Sequence, residues 1–344
     1  MDVREMLERL CRAPGPSGFE QAAADEAAAL LEPFVDEITG DRRGNVIGVR
    51  RCGRKGAKRV LLDAHLDEIG FVITGISQGF LRFQTVGGVD PRMLPSSEVT
   101  VLTDPPLHGV VACLPPHVLT KAEMDKAFSM DKLYIDVGLS QEAAEERIPI
   151  GTRAVFSGQV LSLGERQLSG KAMDDRACFA CLIKVAELLM DKPLDVDVYF
   201  MGSVGEEVGG SGAACGAFAI DPEVCIAVDV THGRTPDGPK DKTFPLGGGA
   251  AIGVGPNMTR WIGTRMLALA RELQIPHQIE VMEGSSGTNG WDMQIAREGI
   301  PTMVISLPLK YMHTPVETLE LTDVEAVAGL IAAFVLAMGK EDMP

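Results

Sequence analysis

Two adjacent glutamates, Glu206 and Glu207, follow an alternating apolar run (Val196, Val198, Phe200, Met201, Val204) and a single glycine, Gly205. A strand that ends in glycine and two acids delivers carboxylates to its C-terminal edge, where open α/β sheets build their sites. Such a pair is also what a solvated acidic turn looks like, so its meaning depends on other ligand-type residues at similar strand ends. The sequence has six histidines. His65 ends an apolar run in DAHLDEIG, and Asp67 follows two residues later. Positions two apart on a strand share a face, so that carboxylate can orient the imidazole. His313, in LKYMHTPVE, follows the last core strand. His108, His117, His232 and His277 lie in predicted loops or beside prolines and read as surface residues.

The remaining acids extend the pattern. Asp174 and Asp175 stand where a long apolar helix begins; acids there complement the helix dipole, and two in a row leave one free for a ligand. Asp229 closes the apolar strand in IAVDVTH. His65, Asp174, Glu207, Asp229 and His313 together supply three carboxylates and two imidazoles, all at strand ends or a helix start. With one carboxylate bridging, that set suits two divalent ions such as Zn²⁺ or Co²⁺, with Mn²⁺ also tolerated. Two such ions about 3.5–4 Å apart polarise a carbonyl and lower the pKa of water. Glu206, beside a ligand, is left to act as the general base.

Periodicity places these residues on elements. Residues 2–12 read as an amphipathic helix, and Ser17 or Gly18 starts a second one reaching Leu31. Strands follow at 45–49 and 59–62. From Ile69 to about Leu163 helical periodicity gives way to short apolar runs between Gly, Pro and Asp turns, the mark of an all-β unit. It is interrupted by a polar stretch at 119–130, read as a flexible loop, and by a helix at 140–147 capped by Ser140. Alternation of helix and strand then resumes: helix 172–190, strand to Val204, helix 211–217, strand 224–229, helix 260–274, strand 278–281, helix 293–297, strand 302–307. A closing helix, 322–338, carries a capping box of Thr322 and Glu325. The expected fold is therefore α/β, a mixed-sheet, helix-flanked core of residues 1–66 and 165–344, with an inserted all-β domain at 67–164.

Composition bounds the rest. The 344 residues carry 32 basic and 48 acidic side chains, a net charge of −16, which disfavours nucleic acid and anionic membranes as partners. The charged N-terminus shows no apolar signal region, and no apolar run reads as transmembrane, so a cytoplasmic location is expected. Seven scattered cysteines form no metal-binding double pair; Cys178 and Cys181 fall on a helix face and read as core.

On these residues the chain resembles the glutamyl aminopeptidase family of tetrahedral (TET) aminopeptidases. The matching pieces run in order along nearly the whole length: PGPSGFE, AHLDEIGFVIT, GFLRFQTVGGVDPRML, KLYIDVG, KAMDDR, GEEVGGSGA, AVDVTH and MHTPVE. The resemblance implies that Asp174 bridges two ions and precedes a cis peptide bond. It places His65 and Asp229 on one ion and Glu207 and His313 on the other. It makes Glu206 the proton-shuttling base and Asp67 the support for His65. It also implies a dimerising β domain and a hollow homododecamer that admits short peptides. Three stretches depart from the family pattern: Gly205 replaces a larger polar residue, GTNGWDM (287–293) puts Asn289 and Trp291 near the expected substrate pocket, and the 231–249 loop is rich in glycine and charge. The expected activity is removal of the N-terminal residue from short peptides. Its rivals are an N-acyl amino acid deacylase or amidohydrolase on the same metals, and an oligomeric scaffold with vestigial chemistry.

Overall fold

The computed structural model describes residues 2–124 and 126–338. The chain opens with α1 (Val3–Arg12), capped by the Asp2 carboxylate, then α2 (Gln21–Leu31). Strands β1 (Glu37–Gly40), β2 (Val46–Arg50) and β3 (Arg59–His65) follow. Next come β4 (Gly70–Ser77), β5 (Phe80–Val86), β6 (Glu98–Val101), β7 (Leu107–Ala112), a short α3 (Lys121–Met124), β8 (Tyr134–Asp136), α4 (Gln141–Arg147) and β9 (Arg153–Phe156). Beyond β10 (Leu161–Leu163) and β11 (Gln167–Gly170) lie α5 (Met173–Leu189), β12 (Asp197–Ser203), α6 (Ser211–Ile220) and β13 (Val224–His232). The chain closes through β14 (Ala250–Val254), α7 (Arg260–Glu272), β15 (His277–Val281), α8 (Gly290–Met293), β16 (Thr302–Leu309), β17 (Glu317–Glu320) and α9 (Leu321–Met338).

Eight strands form one mixed sheet in the order β1-β2-β12-β3-β13-β16-β14-β15. Its central strands β12, β3, β13 and β16 run parallel, so their C-terminal ends open on one edge. These strands are buried on both faces and accordingly read as continuous apolar runs, such as VLLDAH and VCIAVDVT. Helix α5, nearly all of it buried, lies against β3 and β13 and packs on α1 and α9. On the opposite face, α6 and α8 cover the ends of β12, β13 and β16.

Strands β4 to β9 close into a six-stranded barrel in the order β4-β5-β8-β7-β6-β9. Its core is an edge-to-face stack in which the Phe71 ring lies 5.3 Å from Phe83 and 5.1 Å from Phe156. Closure leaves no open edge along these strands. The small sheet β10-β11-β17 joins the chain leaving the barrel to the chain leaving the last core strand.

Several expectations change. Helix α2 starts at Gln21 and leaves Ser17 outside it, because the Ser17 hydroxyl donates to Asp67 Oδ2 at 2.6 Å instead of capping a helix. The helix expected at 293–297 is α8, which already ends at Met293. Helix α9 begins at Leu321, ahead of the Thr322 cap, and Asp323 instead accepts from the backbone N–H groups of Gly247 and Gly249. His108 lies within β7, not in a loop. Part of the 119–130 stretch forms α3, and position 125 falls outside the described residues. Helix α9, contrary to the expectation that no run is transmembrane-like, is long and apolar enough to span a bilayer by length and composition. Its apolarity is accounted for by packing: Val324, Val327, Leu330, Ile331 and Phe334 are buried against α5 and the sheet.

Candidate metal centre

The parallel register brings the chemistry to one edge. His65, the last residue of β3, pairs with Ser203, the last residue of β12, and so the Gly205–Glu206–Glu207 turn emerges beside the imidazole. Asp229 lies on the neighbouring strand β13. Asp174 sits at the start of α5, where the backbone of Asp174 and Asp175 is not helical and the bond between them is cis. His313 comes from the turn between β16 and β17.

Asp174 joins the parts. Its Oδ1 lies 3.1 Å from His65 Nε2 and its Oδ2 lies 3.2 Å from His313 Nε2. His313 Nε2 is also 3.1 Å from Glu207 Oε1. Glu206 Oε2 stands 3.9 Å from His65 Nε2. His65, Asp174 and Glu207 form one group able to hold a metal ion; His65, Asp175 and Asp229 form another that shares the imidazole.

The supporting contacts are equally specific. His65 Nδ1 is 3.0 Å from the Asp67 carbonyl and 3.4 Å from its carboxylate, so the backbone is the closer support. The Asp67 carboxylate chiefly accepts the N–H groups of Glu206 and Glu207, at 3.1 and 3.2 Å, and the Ser17 hydroxyl. It therefore fixes the turn that presents both glutamates. Asp175 accepts the His65 N–H at 3.1 Å through Oδ2, while its buried Oδ1 has no partner. His313 Nδ1 lies 2.7 Å from the carbonyl of Gly88, which follows barrel strand β5.

Glu317 is the residue that sequence reasoning missed. Its buried carboxylate accepts the N–H groups of Met173 and Asp174, at 2.8 and 3.1 Å, on Oε2 and that of His313, at 2.8 Å, on Oε1. It thus sets the two elements carrying Asp174 and His313. His313 itself has φ 61°, a left-handed conformation uncommon outside glycine, which the Glu317 hydrogen bond helps to hold. The signal lay in MHTPVE, four residues beyond the histidine, but spacing alone gives a carboxylate no backbone partners.

Two departures from the family pattern acquire positions. Asn289 is buried, and its amide donates to Asp63 Oδ2 and Ser203 Oγ, each at 2.8 Å. Trp291 is 41% exposed on α8. Beside Gly205, Arg43 donates to Ser211 Oγ at 2.6 Å.

Electrostatics favour a cation at this cluster. Among the described residues no lysine or arginine pairs with Asp174, Glu206, Glu207 or Asp229, whose carboxylates outnumber the two imidazoles. Burial pushes Asp229 well above the usual carboxylate range, and repulsion from Glu206 and Asp174 adds to it, outweighing His65. Burial also lifts Glu206 to about 7, with His65 opposing and Glu207 and Asp174 adding. For His313, burial pulls downward, but Asp174 and Glu207 hold it up at about 11. Burial likewise opposes a charged His65, and Asp174 and Asp67 overcome it. Buried acids that raise one another, the unpartnered Asp175 oxygen, and hard oxygen with borderline nitrogen donors fit divalent cations.

Residues 44–330 match the family model described as M42 glutamyl aminopeptidase. The lysyl aminopeptidase of Pyrococcus furiosus is 35% identical over 336 residues, covering 96% of this chain and 95% of the relative. An aminopeptidase of the archaeon Desulfurococcus kamchatkensis superposes with a TM-score of 0.90 at 34% identity, over 97% of this chain and 94% of that one. The TET1 peptidase of Pyrococcus horikoshii, which can assemble into a tetrahedron or a large octahedral shell, does so with a TM-score of 0.85 at 31% identity, over 97% and 99%. The chain belongs to the M42 glutamyl aminopeptidase family. It is accordingly a hydrolase of the aminopeptidase class, and the likeness to these structures confirms the mixed α/β fold.

Proposed function

We propose that this chain is a dinuclear metallo-aminopeptidase that removes the N-terminal residue of short peptides. Asp174 carries the reading: one carboxylate faces two imidazoles through its two oxygens, an arrangement that would suit a ligand shared between two ions. His65 and Asp229 would complete one ion's protein ligands, and Glu207 and His313 the other's. Divalent ions there, Zn²⁺ or Co²⁺ and alternatively Mn²⁺, would supply Lewis acidity for the scissile carbonyl and lower the pKa of water.

The chain's own residues do the remainder. Glu206, held by its backbone N–H on Asp67, would take a proton from the attacking water and return it to the leaving amine. Asp67 supports His65 through its carbonyl and aligns both glutamates through its carboxylate. Glu317 holds Asp174 and His313 in register from behind. The acid-rich rim also suits the free α-amino group that distinguishes the N-terminus of a peptide.

The β domain, 67–164, we assign as a unit of its own that pairs subunits into dimers, from which a homododecamer is built. The family likeness to TET assemblies supports this.

The test is a panel of aminoacyl-p-nitroanilides, with N-acetyl-leucine alongside, assayed after chelation and after return of each metal. Activity on free amino ends should vanish on chelation and return with Zn²⁺, Co²⁺ or Mn²⁺. Preference for the N-acetylated substrate would make the chain a deacylase. Inactivity with every metal would make it a scaffold.

A further inference from the structure

We propose that Glu280 makes the pocket for the substrate's first side chain selective for a base, lysine or arginine; this rests on the aminopeptidase reading above. Sheet register puts Glu280 on the face that carries the metal centre. Asp229 and Thr231 lie two apart on β13 and so share a face. Ser306 pairs with Asp229, Ala251 pairs with Ser306, and across β14 and β15 Gly253 pairs with Glu280. All of these side-chain positions therefore open on the Asp229 side of the sheet.

From edge strand β15, Glu280 reaches back across β14. Oε1 accepts from the Thr231 hydroxyl at 2.5 Å and Oε2 from the Ser306 hydroxyl at 2.6 Å. The intervening β14 positions are the small Ala251 and Gly253, over which the carboxylate passes, with the Met258 and Met282 sulfurs packed beside Gly253. Strands are spaced about 4.8 Å apart and two residues span about 6.6 Å, so the carboxylate lies roughly 5–8 Å from Asp229. An extended lysine side chain covers about 6 Å from Cα to Nζ. A peptide whose amino end meets the metal centre would bring a basic first side chain to Glu280.

The carboxylate is prepared for a cation it does not have. No lysine or arginine pairs with it among the described residues, and its partners are two neutral hydroxyls. Each oxygen spends one acceptor site on a hydroxyl and retains another. The half-buried group is pushed above the usual carboxylate range by burial, with the two hydroxyls and the more distant His232 opposing. An ammonium or guanidinium would supply the charge that the fold omits. The competing account is a clamp tying the edge strand to β13 and β16, a role that a glutamine of the same shape largely fulfils.

The test compares Lys-, Arg-, Leu- and Glu-p-nitroanilide on the metal-loaded full chain. We expect the highest kcat/KM on the two basic substrates. Glu280→Gln should lower the Lys-to-Leu ratio of kcat/KM by roughly tenfold or more, mainly through KM. Glu280→Lys should move the ratio toward the Glu substrate. Lysine and norleucine, which differ by the ammonium, should show the same selectivity as inhibitors. A wild-type preference for Leu or Glu, or an equal loss on every substrate in Glu280→Gln, would overturn the proposal. Failure on all four substrates with turnover of N-acetyl-leucine would instead sink the aminopeptidase reading, and this proposal with it.

Discussion

Two buried ionic clusters lie close together in this molecule, and they solve the problem of buried charge in opposite ways. In the first, Glu68 accepts from Lys171 Nζ at 2.7 and 2.9 Å, from Arg176 Nη2 at 3.2 Å and from the Gly15 N–H at 3.1 Å. Arg176 spends its other donors on the carbonyls of Leu10, Ala13 and Leu66. Every charge there meets an opposite charge or a carbonyl. In the second, around Asp174, carboxylates face one another and two imidazoles, with no lysine or arginine among the described residues to answer them. Burial of charge is common to both. What sets the second apart is that its carboxylates face one another and outnumber the groups that could answer them, and buried acids left so are the property of a metal site rather than of a structural bridge.

Breaking the clusters should give different kinds of damage. The largest effect is expected from Glu206→Gln, which removes the proton carrier but leaves the other acids in place. Metal content by mass spectrometry should be unchanged, while kcat falls by roughly 10²–10⁴; turnover at the wild-type rate would take Glu206 out of the proton transfer. Glu68→Gln should instead damage the fold, because it leaves two cations buried without their anion. Urea unfolding should show a loss of about 3–5 kcal/mol, with metal bound per folded molecule unaltered. A stability equal to wild type would erase the contrast. Glu317→Gln sharpens it further, since that residue belongs to the metal cluster yet touches only backbone. Metal affinity should weaken by roughly 10–100-fold, read by titration with a competing chelator, and an unchanged affinity would show that the turn before β17 holds itself.

How much of this is legible in the sequence follows from how far each interaction reaches along the chain. The β3, β12 and β13 strands are visible because buried parallel strands are apolar throughout, and their ends mark where chemistry is exposed. His65, Asp174, Glu206, Glu207, Asp229 and His313 stand out for that reason. The function of Glu317 is not visible, because its partners are main-chain N–H groups, which every residue possesses. The Glu68 cluster is hidden likewise: Glu68 stands 103 and 108 residues from Lys171 and Arg176 and meets them only once the sheet is assembled. Ser17 reads as a helix start because serine commonly caps helices, and the tertiary demand of Asp67 prevails. Likeness of motif puts Asn289 near the substrate pocket, but it does not show that the buried Asp63 claims its amide.

One contact remains, between barrel and sheet. Built onto Gly87, a β-carbon would stand 3.0 Å from Glu207 Oε2; built onto Gly88, it would stand 3.0 Å from His313 Nδ1. Gly87 also has φ 79°, where other residues are strained. A single methyl at either place therefore presses on a proposed ligand without altering any ligand. Two hydrogen atoms just past barrel strand β5 act as a password for the centre: a related chain could spell every ligand and the base correctly, and a scan for those letters would accept it, yet the wrong character at position 87 or 88 would push a ligand out of place.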